Sequence, residues 1–236
     1  MQKHNKISES LIKSTVREVL LETAIDELAN YPQSFSMDEF KKLTSFNARV
    51  KYCNQKLYRL GSGSGRIVYQ IDDATVLKLA KNMKGVAQNE AEADDWYARQ
   101  EGLTTEVYDV DEKYLWVEMQ LARKARVADF KKLTGHDFKF MCGFIDYVRS
   151  LYARRTMWEP YIDKETYDKL VESEDFEDTF FYTLYVYMTN MTLDVVGDLK
   201  RASSWGVVKD KDGEERLVIV DMGLNDNVYN EYYKRR

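Results

Sequence analysis

The sequence predicts an α+β chain in two lobes: helices, then a small five-stranded antiparallel sheet with one inserted helix, then more helices and a late hairpin. Three observations carry this. Between residues 56 and 121, short runs alternate apolar and polar residues and are separated by turn-forming Gly or Asp, the period of half-buried strands. Before about residue 50, and again over 126–194, apolar residues recur at helical spacing. A second strand pair, over 205–209 and 216–220, then folds back at Asp212-Gly213. The chain therefore divides into an N-terminal helical extension (1–50), an N-terminal lobe (51–121) and a reduced, mainly helical C-terminal lobe (122–236).

Taken in order, Ile7, Leu11, Val16, Val19, Leu20, Ala24, Ile25 and Leu28 predict an amphipathic helix over 7–30, closed by Pro32. Its apolar face must pack on the body of the chain or on another molecule. Ser36-Met-Asp-Glu39 reads as a capping box opening a second helix. Strands are predicted over 56–60, 66–71 and 75–79, a helix over 86–100 with Gly102 as its C′ residue, and strands over 106–109 and 114–121. The helical stretch that follows is rich in aromatic core candidates, among them Phe138, Phe144, Tyr147, Phe180 and Tyr185. A terminal helix is predicted to begin near Asn225.

Composition narrows the function. With 35 Lys+Arg against 40 Asp+Glu the net charge is −5, which argues against wholesale nucleic-acid binding. No run reaches the ~18–20 apolar residues of a membrane span, and the basic start lacks an apolar signal core, so a cytoplasmic chain is expected. Cys53, Cys142, His4 and His136 are the only cysteines and histidines, which disfavours a zinc site, a disulfide framework and a Ser-His-Asp triad. Chemistry here must run on carboxylates, Lys and backbone amides.

Three segments carry that chemistry. Leu60-Gly-Ser-Gly-Ser-Gly65-Arg-Ile-Val-Tyr69 lies between two predicted strands, and its glycines let backbone amides approach a phosphate. A plain Gly/Ser hairpin connection has the same appearance. One strand later, Lys78 alternates into an apolar run, which is costly unless it meets an anion or a carboxylate. Glu90 and Glu92 on the next helix are the candidate partners, and Lys81 is a rival lysine. Finally, Gly197-Asp198 in a loop after a helix is followed by a hairpin and then by Asp221-Met-Gly223 after an apolar strand. One such carboxylate could orient a hydroxyl while the other holds Mg²⁺.

On these motifs, residues of about 56–223 resemble a small, atypical member of the protein-kinase-like superfamily. The likeness is nearer to compact kinase-like proteins of phages and bacteria than to eukaryotic-type Ser/Thr kinases. The resemblance implies a two-lobed kinase-like fold using ATP and Mg. It puts Gly61, Ser62, Gly63, Ser64, Gly65 and Val68 over the phosphates and Lys78 on the α/β-phosphates, with Glu92 as the better partner of Lys78. It puts the backbone of Glu118 and Met119 on adenine, Asp198 in the catalytic loop and Asp221 on the metal. Several places depart from the family pattern. Arg66 stands at the third glycine position, and Ser203 stands where the family's second metal-binding residue is an Asn. Little chain (224–236) follows Gly223, so no activation loop or late helices are expected. Two functions follow: ATP-dependent phosphoryl or nucleotidyl transfer to an unidentified protein or small-molecule hydroxyl, or a catalytically inactive pseudokinase acting as a binding module. The resemblance implies the host cytoplasm if the chain is phage-encoded, and the 7–30 helix leaves room for a partner or self-association.

Overall fold

The computed structural model describes residues 35–152, 163–190, 196–210, 212–220 and 226–232. The expected helix over 7–30 and the Asp221-Met-Gly223 segment lie outside the described residues.

Helix α1 (Met37–Lys42) starts where the capping signal places it, with Ser36 Oγ accepting from the Glu39 N–H at 3.3 Å. The reach-back half of the capping box runs through a third residue. The Ser36 N–H donates to the Tyr52 hydroxyl oxygen at 3.0 Å, and that hydroxyl donates to Glu39 Oε2 at 2.9 Å. Helix α2 (Phe46–Lys56) is capped by Ser45 and continues past the expected end of the helical extension, so β1 begins two residues later than the alternation alone suggested.

Five strands, β1 (Tyr58–Ser62), β2 (Arg66–Gln70), β3 (Thr75–Ala80), β4 (Val107–Val110) and β5 (Trp116–Gln120), form an antiparallel sheet in the order β1-β2-β3-β5-β4. All of β3 is buried because both faces of the sheet are covered. Leu77 and Leu79 pack on one face with Phe40, Cys53, Leu57 and Trp116, so α1 and α2 are part of the sheet's core. Val76 packs on the other face with Val117 and Met119. Lys78, also an even-numbered residue, shares that second face, because successive strand side chains point opposite ways.

The helix expected over 86–100 is two helices, α3 (Met83–Asp94) and α4 (Trp96–Gln100). The break falls at Asp95, whose carboxylate accepts from the Ala98 N–H at 3.1 Å and so caps a new start. Gly102 then takes φ 71°, a left-handed position that favours glycine.

The remaining elements are β6 (Arg123–Lys124), α5 (Val127–Thr134), α6 (Phe138–Tyr152), α7 (Lys164–Val171), α8 (Phe180–Asn190), β7 (Trp205–Lys209), β8 (Glu215–Ile219) and α9 (Asp226–Tyr232). Short 3-10 turns occupy Phe176–Asp178, Val196–Lys200 and Ala202–Ser204. β6, β7 and β8 make a second, three-stranded sheet that packs with the helices around Phe130, Phe144, Phe181, Leu184 and Trp205. Hydrogen bonds tie the two halves together: the Ile219 backbone N–H donates to Leu103 O at 2.8 Å, and the Arg216 guanidinium donates to the carbonyls of Gly102 and Thr104. Among the described residues no helix is long and apolar enough to cross a membrane.

A cleft over a buried Lys–Glu–Arg cluster

The two sheets meet at Leu121-Ala122, and a cleft of about 470 Å³ opens beside that junction. Leu60, Val68, Val76, Leu121 and Ala122 supply its apolar walls, Gly63, Ser64 and Gly65 one rim, and Arg66, Lys78 and Gln88 its polar side, with Val220, just past β8, beside Lys78.

The hairpin at the rim is tight. The Gly63 N–H donates to Arg66 O at 2.9 Å, so Gly61 and Ser62 are strand residues and only 63–65 form the turn. Lys81, the rival lysine, is exposed; its Nζ donates to Gly63 O at 2.9 Å, while its backbone N–H donates to Gly65 O at 2.7 Å. Gly65 has a packing reason to be glycine. A Cβ there would meet Gln88 Oε1 and stand 3.2 Å from Gly85 Cα, and a Cβ on Gly85 would strike the Gly65 carbonyl. The hairpin thus sits backbone to backbone on α3, whereas Gly61 and Gly63 face open space.

Lys78 meets Glu92, at 2.7 Å from Nζ to Oε2. Glu92 is also held from the other side by Arg66, whose Nη2 lies 2.9 Å from Oε1. All three side chains are buried. Burial alone would push the Glu92 carboxyl up, but Arg66 and Lys78 overcome that and hold it at about 2. The Lys78 ammonium further donates to the Val220 carbonyl at 3.1 Å, which links β3 to the residue immediately before Asp221.

Other expected site residues fall elsewhere. Glu118 and Met119 lie within β5, paired to Leu77 and Val76 on one side and to Asp109 and Val107 on the other. Gln120, Leu121 and Ala122, just beyond them, line the cleft. Asp198 lies in the 3-10 turn Val196–Lys200, partly exposed, with its carboxylate 3.1 Å from Arg201 Nη1. Ser203 is exposed; its neighbour Ser204 is the serine turned inward, donating to Asp198 O at 2.8 Å. Neither Asp198 nor Ser203 lines the cleft. Among the described residues no group of three His, Cys, Asp or Glu side chains is placed to hold a metal ion, so the metal expectation rests on Asp221.

Sequence reading placed Arg66 only as a departure from a pattern and did not foresee its role on Glu92. The signal was present: an arginine in an inward position of a strand facing a helix with buried acid.

A larger cavity, of about 700 Å³, lies in the helical half between α6 and α7. Its acids are occupied by structural work. Asp146 pairs with Lys200 at 2.6 Å, Asp163 caps α7 through Thr166, and Asp137 caps α6 through Phe140. His136 stacks on Phe140 with ring centroids 3.9 Å apart.

The chain matches no protein-family model and no curated protein. Among solved structures it is similar to the streptomycin–ATP–APH(2″)-IIa ternary complex, at 14% identity over 77% of this chain and 71% of that chain, with a TM-score of 0.33. A likeness at that level assigns no residue.

Proposed function

We propose that the cleft binds ATP with its phosphates beneath the 63–65 hairpin, in a kinase-like arrangement of residues 56–223. The chain then transfers a phosphoryl or nucleotidyl group to a hydroxyl of a protein or small molecule. The observation that supports this is the buried Lys78–Glu92 pair on the wall of the cleft. A buried ion pair on a cavity wall gives up stability that an apolar wall would keep, which suits a wall shaped for a charged ligand. In phosphoryl transfer, Asp198 orients the acceptor hydroxyl and takes its proton. The new O–P bond forms as the γ-phosphorus bond to the bridging oxygen breaks, and ADP leaves with that electron pair. Asp221, next in the chain after Val220, is the proposed magnesium ligand, with Ser203 the weaker second candidate.

A second reading is favoured by one observation: Asp198 is paired with Arg201 and does not line the cleft. In that case the chain is a kinase-like binding module that holds a nucleotide and transfers nothing. Calorimetric titration with ATP, with and without Mg²⁺, tests the shared part, and Lys78→Met should weaken binding while the chain stays folded. Transfer of label from γ- or α-labelled ATP separates the two readings. Binding without transfer selects the module, and absence of any ATP binding removes both.

A further inference from the structure

Among the described residues, Arg66 is the charged residue lining the cleft that the reading above leaves without a task. It stands where a glycine was expected, is buried, lines the cleft and lies 2.9 Å from Glu92 Oε1. A buried carboxylate with one cationic partner holds that partner tightly, because separating them leaves both charges desolvated and uncompensated. Glu92 meets both cations, Arg66 on one oxygen and Lys78 on the other. The cluster of Arg66, Lys78 and Glu92 therefore carries one net positive charge at the cleft wall. The Lys78 ammonium has three N–H donors, and Glu92 and the Val220 carbonyl take two of them.

We propose that Arg66 is a positioning residue for polyphosphate binding: by holding Glu92 it lets the Lys78 ammonium turn toward a phosphate oxygen without stranding the carboxylate. This rests on the ATP-binding reading. Arg66 acts through Glu92 and Lys78, and the Gly63 N–H bond to Arg66 O fixes its backbone at the foot of the 63–65 turn. The anion it serves is the triphosphate of a nucleotide, since a cleft with apolar walls at Leu60, Val68 and Leu121 and one net positive cluster suits a base joined to a phosphate chain.

The test is calorimetric titration of the full chain with ATP. Arg66→Met should weaken binding about tenfold or more, because Glu92 then loses the Arg66 charge and holds Lys78 more tightly, and Arg66→Lys should stay within about threefold of the parent. The decisive variant is Arg66→Met combined with Glu92→Gln, which removes the charge that detains Lys78 and should restore affinity to within about threefold. A merely structural role for Arg66 predicts no such restoration. Unchanged affinity in Arg66→Met, or a loss that the double variant does not recover, overturns the proposal while the ATP reading stands. Failure of the parent chain to bind ATP overturns the ATP reading and this one with it. Should Arg66→Met not fold, Arg66→Gln replaces it in the same pair of measurements: a loss that Glu92→Gln recovers supports the role, and no loss, or a loss without recovery, refutes it.

Discussion

The sheet half and the helical half bury different things. Among the described residues every buried polar or charged side chain except Asp129 and Ser204 lies before residue 106, including Arg49, Arg66, Lys78, Gln88, Asn89 and Glu92. The helical half buries aromatic rings, with Phe144 and Phe181 at 5.0 Å and Phe130 and Trp205 at 5.9 Å between centroids. Aromatic burial stabilises with few conditions attached. Burial of ions is at best neutral against an apolar core of the same shape. A fold that places buried ions such as Arg66 and Lys78 on one wall of a cleft is giving up stability there, which is why that wall carries the proposed function.

The comparison can be broken most directly at one residue in each half. Glu92→Leu removes the carboxylate between two buried cations and should cost about 3–5 kcal/mol. Phe144→Ala opens a cavity in the aromatic core and should cost a similar ~3–5 kcal/mol. Acid separates them. The Glu92 carboxyl is held at about 2 against an ordinary value of 4.5. Its contribution is therefore fully present above 4.5 and is lost as pH falls from there towards 2. Chemical denaturation through that window should show a decline in the parent and in Phe144→Ala that is reduced in Glu92→Leu. An undiminished decline in Glu92→Leu would show that the charged cluster is not its source.

A smaller effect sharpens the contrast at two helical glycines. Gly85→Ala puts a Cβ against the Gly65 carbonyl, which is backbone and cannot swing away. Overpacking of this kind costs about 1–3 kcal/mol, against which alanine returns ~1 kcal/mol of helix propensity. Gly143→Ala in α6 meets the Tyr167 hydroxyl, a side-chain end that can shift. Thermal melts should therefore show Gly85→Ala destabilised more than Gly143→Ala, and only Gly85→Ala should also weaken ATP binding by displacing the hairpin. Equal losses would mean that the hairpin yields as easily as a tyrosine.

What was legible in the sequence was whatever periodicity or a local signal encodes. The five strands, the Ser36 cap, the left-handed Gly102 and the hairpin at Asp212-Gly213 all follow from residues within a few positions of one another. Lys78 and Glu92 were legible because a charged residue in an apolar strand demands a partner, and the next helix offered one. Arg66 on Glu92 was not, since the contact joins residues 26 apart and depends on register and side-chain reach. The two-residue β6 was too short to carry a period, and the break at Asp95 hung on one carboxylate choosing to cap a new helix. The lining of the cleft by Gln120, Leu121 and Ala122 was not legible either, because it depends on how the two sheets meet after β5 and not on any local pattern.

The smallest expected effect lies at the edge of the sheet half. Ser36→Ala removes the side-chain acceptor of α1, a change that costs about 0.5–2 kcal/mol in general. Here the low end is expected. The bond to the Glu39 N–H is 3.3 Å long and exposed, and the Tyr52 hydroxyl continues to receive the N–H of residue 36. Phe40, fully buried and edge-on to Trp116 at 5.8 Å, holds α1 on the sheet without help from the cap. A loss near 0.5 kcal/mol, read as a fall of roughly 1–2 °C in Tm, would fit a helix anchored by its core residue. A loss above ~2 kcal/mol would mean that the Ser36–Tyr52–Glu39 relay fastens α1 to α2, so that even the cover of the charged half depends on polar bonds rather than on packing.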